Sequence, residues 1–125
     1  MSKTIIVIDD SETIRDQVKL VLDEAGYQVI EAEDGAEGAA VIRANPGAAL
    51  AICDVNMPRM SGIDMLEHLK SLGLPNIPPV LMLTTEGRPD LIDRARSAGA
   101  KGWIVKPFKP NMLLATVKKI ASVAA

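Results

Sequence analysis

A chain of 125 residues has room for one ordinary hydrophobic core and not for two. Apolar residues make up 48% of it, yet Phe, Tyr and Trp occur once each, so that core must be aliphatic. Fourteen basic residues against sixteen acidic ones leave a net charge of -2 with no polybasic block, which argues against nucleic acid or an anionic membrane surface as the main partner.

Thr4-Ile5-Ile6-Val7-Ile8 is β-branched throughout and apolar after Thr4, the pattern of a strand buried on both faces. It ends on Asp9-Asp10. Ser11 is placed to cap a helix in which Ile14, Val18, Val21, Leu22 and Ala25 recur at helical spacing, and Gly26 to end it. Gln28 to Ala32 reads as a second, more polar strand, as suits a sheet edge. Asp34-Gly35-Ala36-Glu37 resembles a capping box and opens an Ala-rich helix that runs to about Ala44, where Asn45-Pro46-Gly47 stops it.

Leu50 to Cys53 is the third strand and ends on Asp54, with Asn56 and Pro58 breaking regular structure just beyond. Ser61 caps a third helix whose apolar stripe is Met65, Leu66, Leu69 and Leu72. Gly73, Pro75, Pro78 and Pro79 then make a firm break. Val80 to Leu83 is a fourth strand ending on Thr84-Thr85-Glu86, followed by a short amphipathic helix over Asp90 to Ala98 and by Gly99. Trp103-Ile104-Val105 is the fifth strand, ending on Lys106-Pro107. The last helix starts near Asn111, with Leu113, Val117, Ile120 and Ala124 on one face.

Five strands alternating with five helices imply a single α/β domain, a doubly wound parallel sheet with helices on both faces. No apolar run approaches the roughly 20 residues that cross a membrane. Met1-Ser2-Lys3-Thr4 leads straight into the first strand without a signal-peptide pattern. The single cysteine, Cys53, cannot form an internal disulfide and reads as a small buried hydrophobe, in keeping with a reducing cytoplasm.

In a parallel sheet the carboxyl ends of all strands share one edge, where ligands bind. Four of the five strands deliver polar residues there: Asp9 and Asp10, Asp54, Thr84, and Lys106. Three carboxylates in one cleft repel unless one is protonated or a cation sits among them. All-oxygen ligation suits Mg2+, which takes one or two carboxylates, keeps several waters and completes its shell with a phosphate oxygen. Lys106 supplies a point charge for such a phosphate, Thr84 a hydroxyl donor, and a carboxylate a nucleophile able to form an aspartyl phosphate. The bland alternatives are helix capping by Asp9 and Asp10, ordinary strand-exit threonines and a solvated surface lysine. His68, with no second His or Cys to pair with, reads as a solvated helical residue. Lys101, Lys109, Lys118 and Lys119 read as solvated faces, and Met57, Met60, Met65, Met82 and Met112 as core or loop filler.

Val7-Ile8-Asp9-Asp10-Ser11, the segment Asp54-Val55-Asn56-Met57-Pro58-Arg59-Met60-Ser61-Gly62, Leu83-Thr84-Thr85 and Lys106-Pro107-Phe108 together resemble the receiver domain of two-component response regulators. The resemblance spans essentially the whole chain, residues 1–125, as one receiver domain with no output domain, the single-domain chemotaxis (CheY-like) type. It implies a flavodoxin-like fold with strand order 2-1-3-4-5, inherited with the family. It further implies Asp54 as phosphoacceptor, with Asp9, Asp10, Asp54 and the backbone carbonyl of Asn56 holding Mg2+. Lys106 would contact the phosphate beside a cis bond to Pro107. Thr84 and the aromatic at Trp103 would form the switch, and Asn56 and Glu86 would tune loss of the phosphate, on the fast side for the family. Trp103 stands where Tyr is found in the best-known chemotaxis member and lacks its hydroxyl, and Thr85 stands where Ala is commoner.

The implied function is a stand-alone cytoplasmic phospho-switch, a monomer and not a turnover enzyme. It would be phosphorylated by a CheA-like sensor histidine kinase, with a phosphatase as a further partner. Its target would be a motility component such as the flagellar motor switch, or it would have none and act as a phosphate sink for a shared kinase. A haloacid-dehalogenase-type phosphatase also forms an aspartyl phosphate, but places its nucleophile on the first strand as Asp-x-Asp. Here that strand offers adjacent aspartates and the chain lacks room for a substrate cap. A nucleotide-binding Rossmann domain would need a glycine loop where Asp9-Asp10-Ser11-Glu12 stands.

Overall fold

The computed structural model describes residues 3–74 and 76–123. Pro75, expected in the break after the third helix, and Ala124, expected on the last helix's apolar face, lie outside the described residues. Strands β1 (Thr4–Ile8), β2 (Gln28–Ala32), β3 (Leu50–Cys53), β4 (Val80–Thr84) and β5 (Ala100–Val105) alternate with helices α1 (Glu12–Glu24), α2 (Gly35–Ala44), α3 (Gly62–Ser71), α4 (Pro89–Ser97) and α5 (Pro110–Val123). All strand pairs are parallel and the order is β2-β1-β3-β4-β5. This is the expected order. Among the described residues no helix is long and apolar enough to cross a membrane.

The period of two along each strand sorts the core into two layers. Ile6, Ile8, Ala51, Cys53, Val80 and Met82 face α2, α3 and α4 through Ala39, Ile42, Met65, Leu66, Leu69 and Ala95. Ile5, Val7, Leu50, Ile52, Leu81 and Leu83 face α1 and α5 through Val18, Leu22, Leu113 and Val117. Each Ile, Leu, Val or Met side chain among these, fully buried, contributes about 1.5–3 kcal/mol. Because β1, β3 and β4 are covered on both faces, their backbones are rigid mounts for whatever follows Ile8, Cys53 and Leu83.

Several element ends differ from the sequence reading. Ala25 and Leu72 sit at helix C-caps and are exposed, since periodicity continues past a helix that glycine has already ended. Met112 is exposed on the first turn of α5 and fills no core position. β5 starts at Ala100, ahead of the expected Trp103. The register jumps from Val80 opposite Ala100 to Leu81 opposite Gly102, so Lys101 is skipped and its polarity disguises the strand.

Candidate functional site

The carboxyl edge of the sheet gathers the expected residues. Asp9 leaves β1 and is buried; its Oδ1 accepts the Ser11 N–H at 2.9 Å. The cap of α1 is Ser11, whose Oγ accepts the Ile14 N–H, so neither Asp9 nor Asp10 is used for capping. Asp54 leaves β3, is buried, and its Oδ1 accepts the Val55 N–H at 2.6 Å. Lys106, leaving β5 ahead of a cis bond to Pro107, places Nζ 2.7 Å from Asp9 Oδ2 and 3.1 Å from Asp54 Oδ2.

Asp9, the exposed Asp10 and Asp54 present carboxylate oxygens within 4.8 Å of one another. Asp9 and Asp54 thus share one ammonium, and Asp10 adds a third acid beside them. Burial, with the Asp54 charge nearby, holds the Asp9 carboxyl above its usual value although Lys106 and the Ser11 N–H pull it down. Burial also works against the Lys106 charge, but Asp9 and Asp54 outweigh it and hold that ammonium above its usual value. The donor set is hard, anionic and short of positive charge, and it fits a small divalent cation. Cys53, directly before Asp54, is a spectator: burial pushes its thiol up, and its Sγ donates to the Asp54 carbonyl.

Glycine is required where the loop after β3 folds back. A Cβ on Gly62 would run into the Asp54 carbonyl oxygen, and the Gly62 N–H instead donates to Val55 at 2.9 Å. Across the mouth of the site, Asn56 Nδ2 donates to Glu86 Oε1 at 3.2 Å, so the two residues expected to tune phosphate loss touch each other. Thr84 is buried at the end of β4 and its Oγ1 accepts the Glu86 N–H at 3.3 Å.

Residues 5–118 match the response regulator receiver domain. The chain belongs to that family. It is 39% identical to the chemotaxis protein CheY1 of Helicobacter pylori over 110 residues, covering 87% of this chain and 89% of that protein. The structure superposes on the chemotaxis protein CheY4 of Vibrio cholerae with a TM-score of 0.86 at 37% identity, covering 96% of this chain and 99% of the other. It also superposes on CheY in the CheX–CheY–BeF3–Mg2+ complex from Borrelia burgdorferi, with a TM-score of 0.86 at 26% identity over 94% of this chain and 88% of that one.

Within this receiver domain Trp103 is half-buried against the α2–α3–α4 layer, and its Nε1 donates to the Glu86 carbonyl at 2.8 Å. The missing tyrosine hydroxyl therefore does not leave position 103 without a donor. Glu86 thereby meets three expected residues: its side chain holds Asn56, its N–H Thr84 and its carbonyl Trp103. Sequence reading missed Arg15, whose Nη1 donates to the Asp9 carbonyl at 2.6 Å while Nε pairs with Glu31 at 3.1 Å. It also missed the partner of Asp34 beyond its cap, Arg59. An arginine four residues into a helix carries no local mark of a long-range contact.

Proposed function

We propose that Asp54 is the phosphoacceptor of a phospho-switch driven by a histidine kinase. The observation that carries this is the cluster of Asp9, Asp10 and Asp54 at the carboxyl edge of the sheet, two of whose carboxylates, Asp9 and Asp54, meet the Lys106 ammonium. Asp9, Asp10, Asp54 and the Asn56 carbonyl hold Mg2+, which supplies charge neutralisation for the incoming phosphoryl group. The Val55 N–H orients Asp54 through Oδ1, leaving the carboxylate to attack phosphorus as the bond to the donor's nitrogen breaks. Lys106 then follows the new negative charge, away from Asp9.

The Thr84 hydroxyl turns from the Glu86 N–H toward a phosphoryl oxygen, shifting the loop after β4. Trp103 reads that shift through the Glu86 carbonyl, and Asn56 and Glu86 at the mouth set how fast water removes the phosphate. The chemotaxis relatives support a motility target. That target approaches through α4, β5 and α5, in a cytoplasmic setting. The Mg2+ and BeF3 in the Borrelia complex support the same ion and phosphoryl chemistry here. The protein is a switch and not a turnover enzyme.

Incubation with Mg2+ and acetyl phosphate should add one phosphoryl mass, and Asp54→Asn should not gain it; labelling that persists in the variant would move the acceptor elsewhere. The emission of Trp103, the sole tryptophan, should change on phosphorylation. Multi-turnover hydrolysis of small phosphate esters would overturn the switch reading.

A further inference from the structure

We infer that Asp34 and Arg59 form a latch that positions the Mg2+-facing loop between Val55 and Gly62. The inference rests on the proposed role of the Asn56 carbonyl as a metal ligand. That loop closes on itself through the Gly62 N–H to Val55 carbonyl bond, and its tip is Pro58-Arg59-Met60. Arg59 has φ of 66°, the left-handed region that a side-chain-bearing residue adopts at a cost and keeps only when its surroundings hold it there.

Two contacts from the start of α2 hold it. The Gly35 N–H donates to the Met60 carbonyl at 3.0 Å, an approach so close that a Cβ on Gly35 would collide with that oxygen. Beside it, Arg59 Nη2 lies 2.5 Å from Asp34 Oδ2. Asp34 is only 1% exposed although its work as a helix cap, Oδ1 accepting the Glu37 N–H at 2.8 Å, needs one oxygen alone. The second oxygen is buried with no well-aligned hydrogen bond, and Arg59 is the cation set against it. A cap alone does not call for burying that second charged oxygen under a loop. A tether for the loop tip does.

The latch touches neither phosphate nor metal; Asp34 and Arg59 are positioning residues that act on the Asn56 carbonyl three residues before Arg59. Outer partners of this kind usually change metal affinity by about 10–100-fold when removed.

The test measures Mg2+ affinity by calorimetry and the half-saturating Mg2+ for phosphorylation by acetyl phosphate. Arg59→Ala and Asp34→Asn should each weaken Mg2+ by about tenfold while the rate at saturating Mg2+ stays near that of the parent. Asp34→Asn keeps the cap acceptor, and Arg59→Lys, which keeps the cation, should recover most of the affinity. The double variant should be no worse than either single one. Arg59→Gly separates tether from strain: it frees the left-handed backbone but still removes the cation, so it should also weaken Mg2+.

Arg59 is exposed, so its variants carry the test even if Asp34→Asn fails to fold. Unchanged half-saturation in Arg59→Ala and Arg59→Gly, with Asp54→Asn losing Mg2+, would overturn the latch alone. Absence of Mg2+ binding by the parent protein would overturn the metal reading and the latch with it.

Discussion

Asp9 and Asp34 are both buried aspartates just past the ends of neighbouring parallel strands, yet the fold treats them oppositely. Asp34 accepts the Glu37 N–H and faces the Arg59 guanidinium; backbone solvation first, then that cation, hold its carboxyl below the usual range. Asp9 also has an N–H and a cation, but it shares the cation with Asp54 and lies near Asp10, and its carboxyl is pushed up. A carboxylate whose charge the fold satisfies is architecture. One whose charge the fold leaves unbalanced is waiting for a ligand, and only the second kind should gain from one.

The strongest way to break this contrast is to remove each charge without changing shape. Asp9→Asn should weaken Mg2+ by more than the roughly tenfold typical of outer partners, because a proposed ligand is lost. In metal-free buffer it should melt higher than the parent, by roughly 3–5 °C for about 1 kcal/mol in a domain of this size. Asp34→Asn, by contrast, should melt lower in the same buffer. Calorimetry and thermal melts in the presence of EDTA check both, and equal signs for the two variants would end the comparison.

A second, smaller effect is the pH dependence of metal-free stability. Asp9 titrates above the ordinary carboxylate value of 3.8 when folded, so its ionised form costs stability above that raised value. The cost is relieved as pH falls and is gone below 3.8. Asp34 titrates below 3.8 when folded, so its contribution is full above 3.8 and is lost as pH falls through the depressed value. Lys106, raised above 10.5, contributes across this whole range and fails only as pH climbs through its folded value. Thermal melts without metal should therefore pass through a maximum on the mildly acidic side, between pH 7 and about 4. Saturating Mg2+ should move that maximum toward neutrality, since binding requires the ionised acids. A steady fall from pH 7 downward without metal would place the unbalanced charge elsewhere.

The same distinction explains what could be read from the sequence. Five strands and five helices were legible because most strands are short aliphatic runs and most helices carry a cap or a stop in the chain itself: Ser11, Asp34, Ser61, Gly26, Gly73. Asp9, Asp54, Thr84 and Lys106 were legible because each ends such a run, and parallel topology alone brings strand ends together. The first half of β5 was hidden because Lys101 is skipped by the ladder and Gly102 has no strand signature. The long-range partners of Arg15, Arg59 and the Trp103 indole were hidden for a different reason. Each pairs a loop or helix surface with a distant segment, and no local pattern encodes which segments the fold will bring together.

Trp103 gives the smallest effect and the sharpest control, because its hydrogen bond to the Glu86 carbonyl involves no formal charge. Trp103→Phe removes that donor and some volume from a half-buried site. The lost hydrogen bond costs about 1 kcal/mol. Asp9, Asp54 and Lys106 are untouched, so phosphorylation by acetyl phosphate and Mg2+ affinity should persist. The loss in melting temperature should be the same at pH 5 and pH 7, and the same with and without Mg2+, unlike the losses and gains at Asp9. A loss that varied with pH or metal would mean that the loop carrying Glu86 already senses the acid cluster before any phosphate arrives. The line between charge-bearing and charge-free contacts at this edge of the sheet would then have to be redrawn through Glu86, whose side chain reaches Asn56 and whose carbonyl holds the indole.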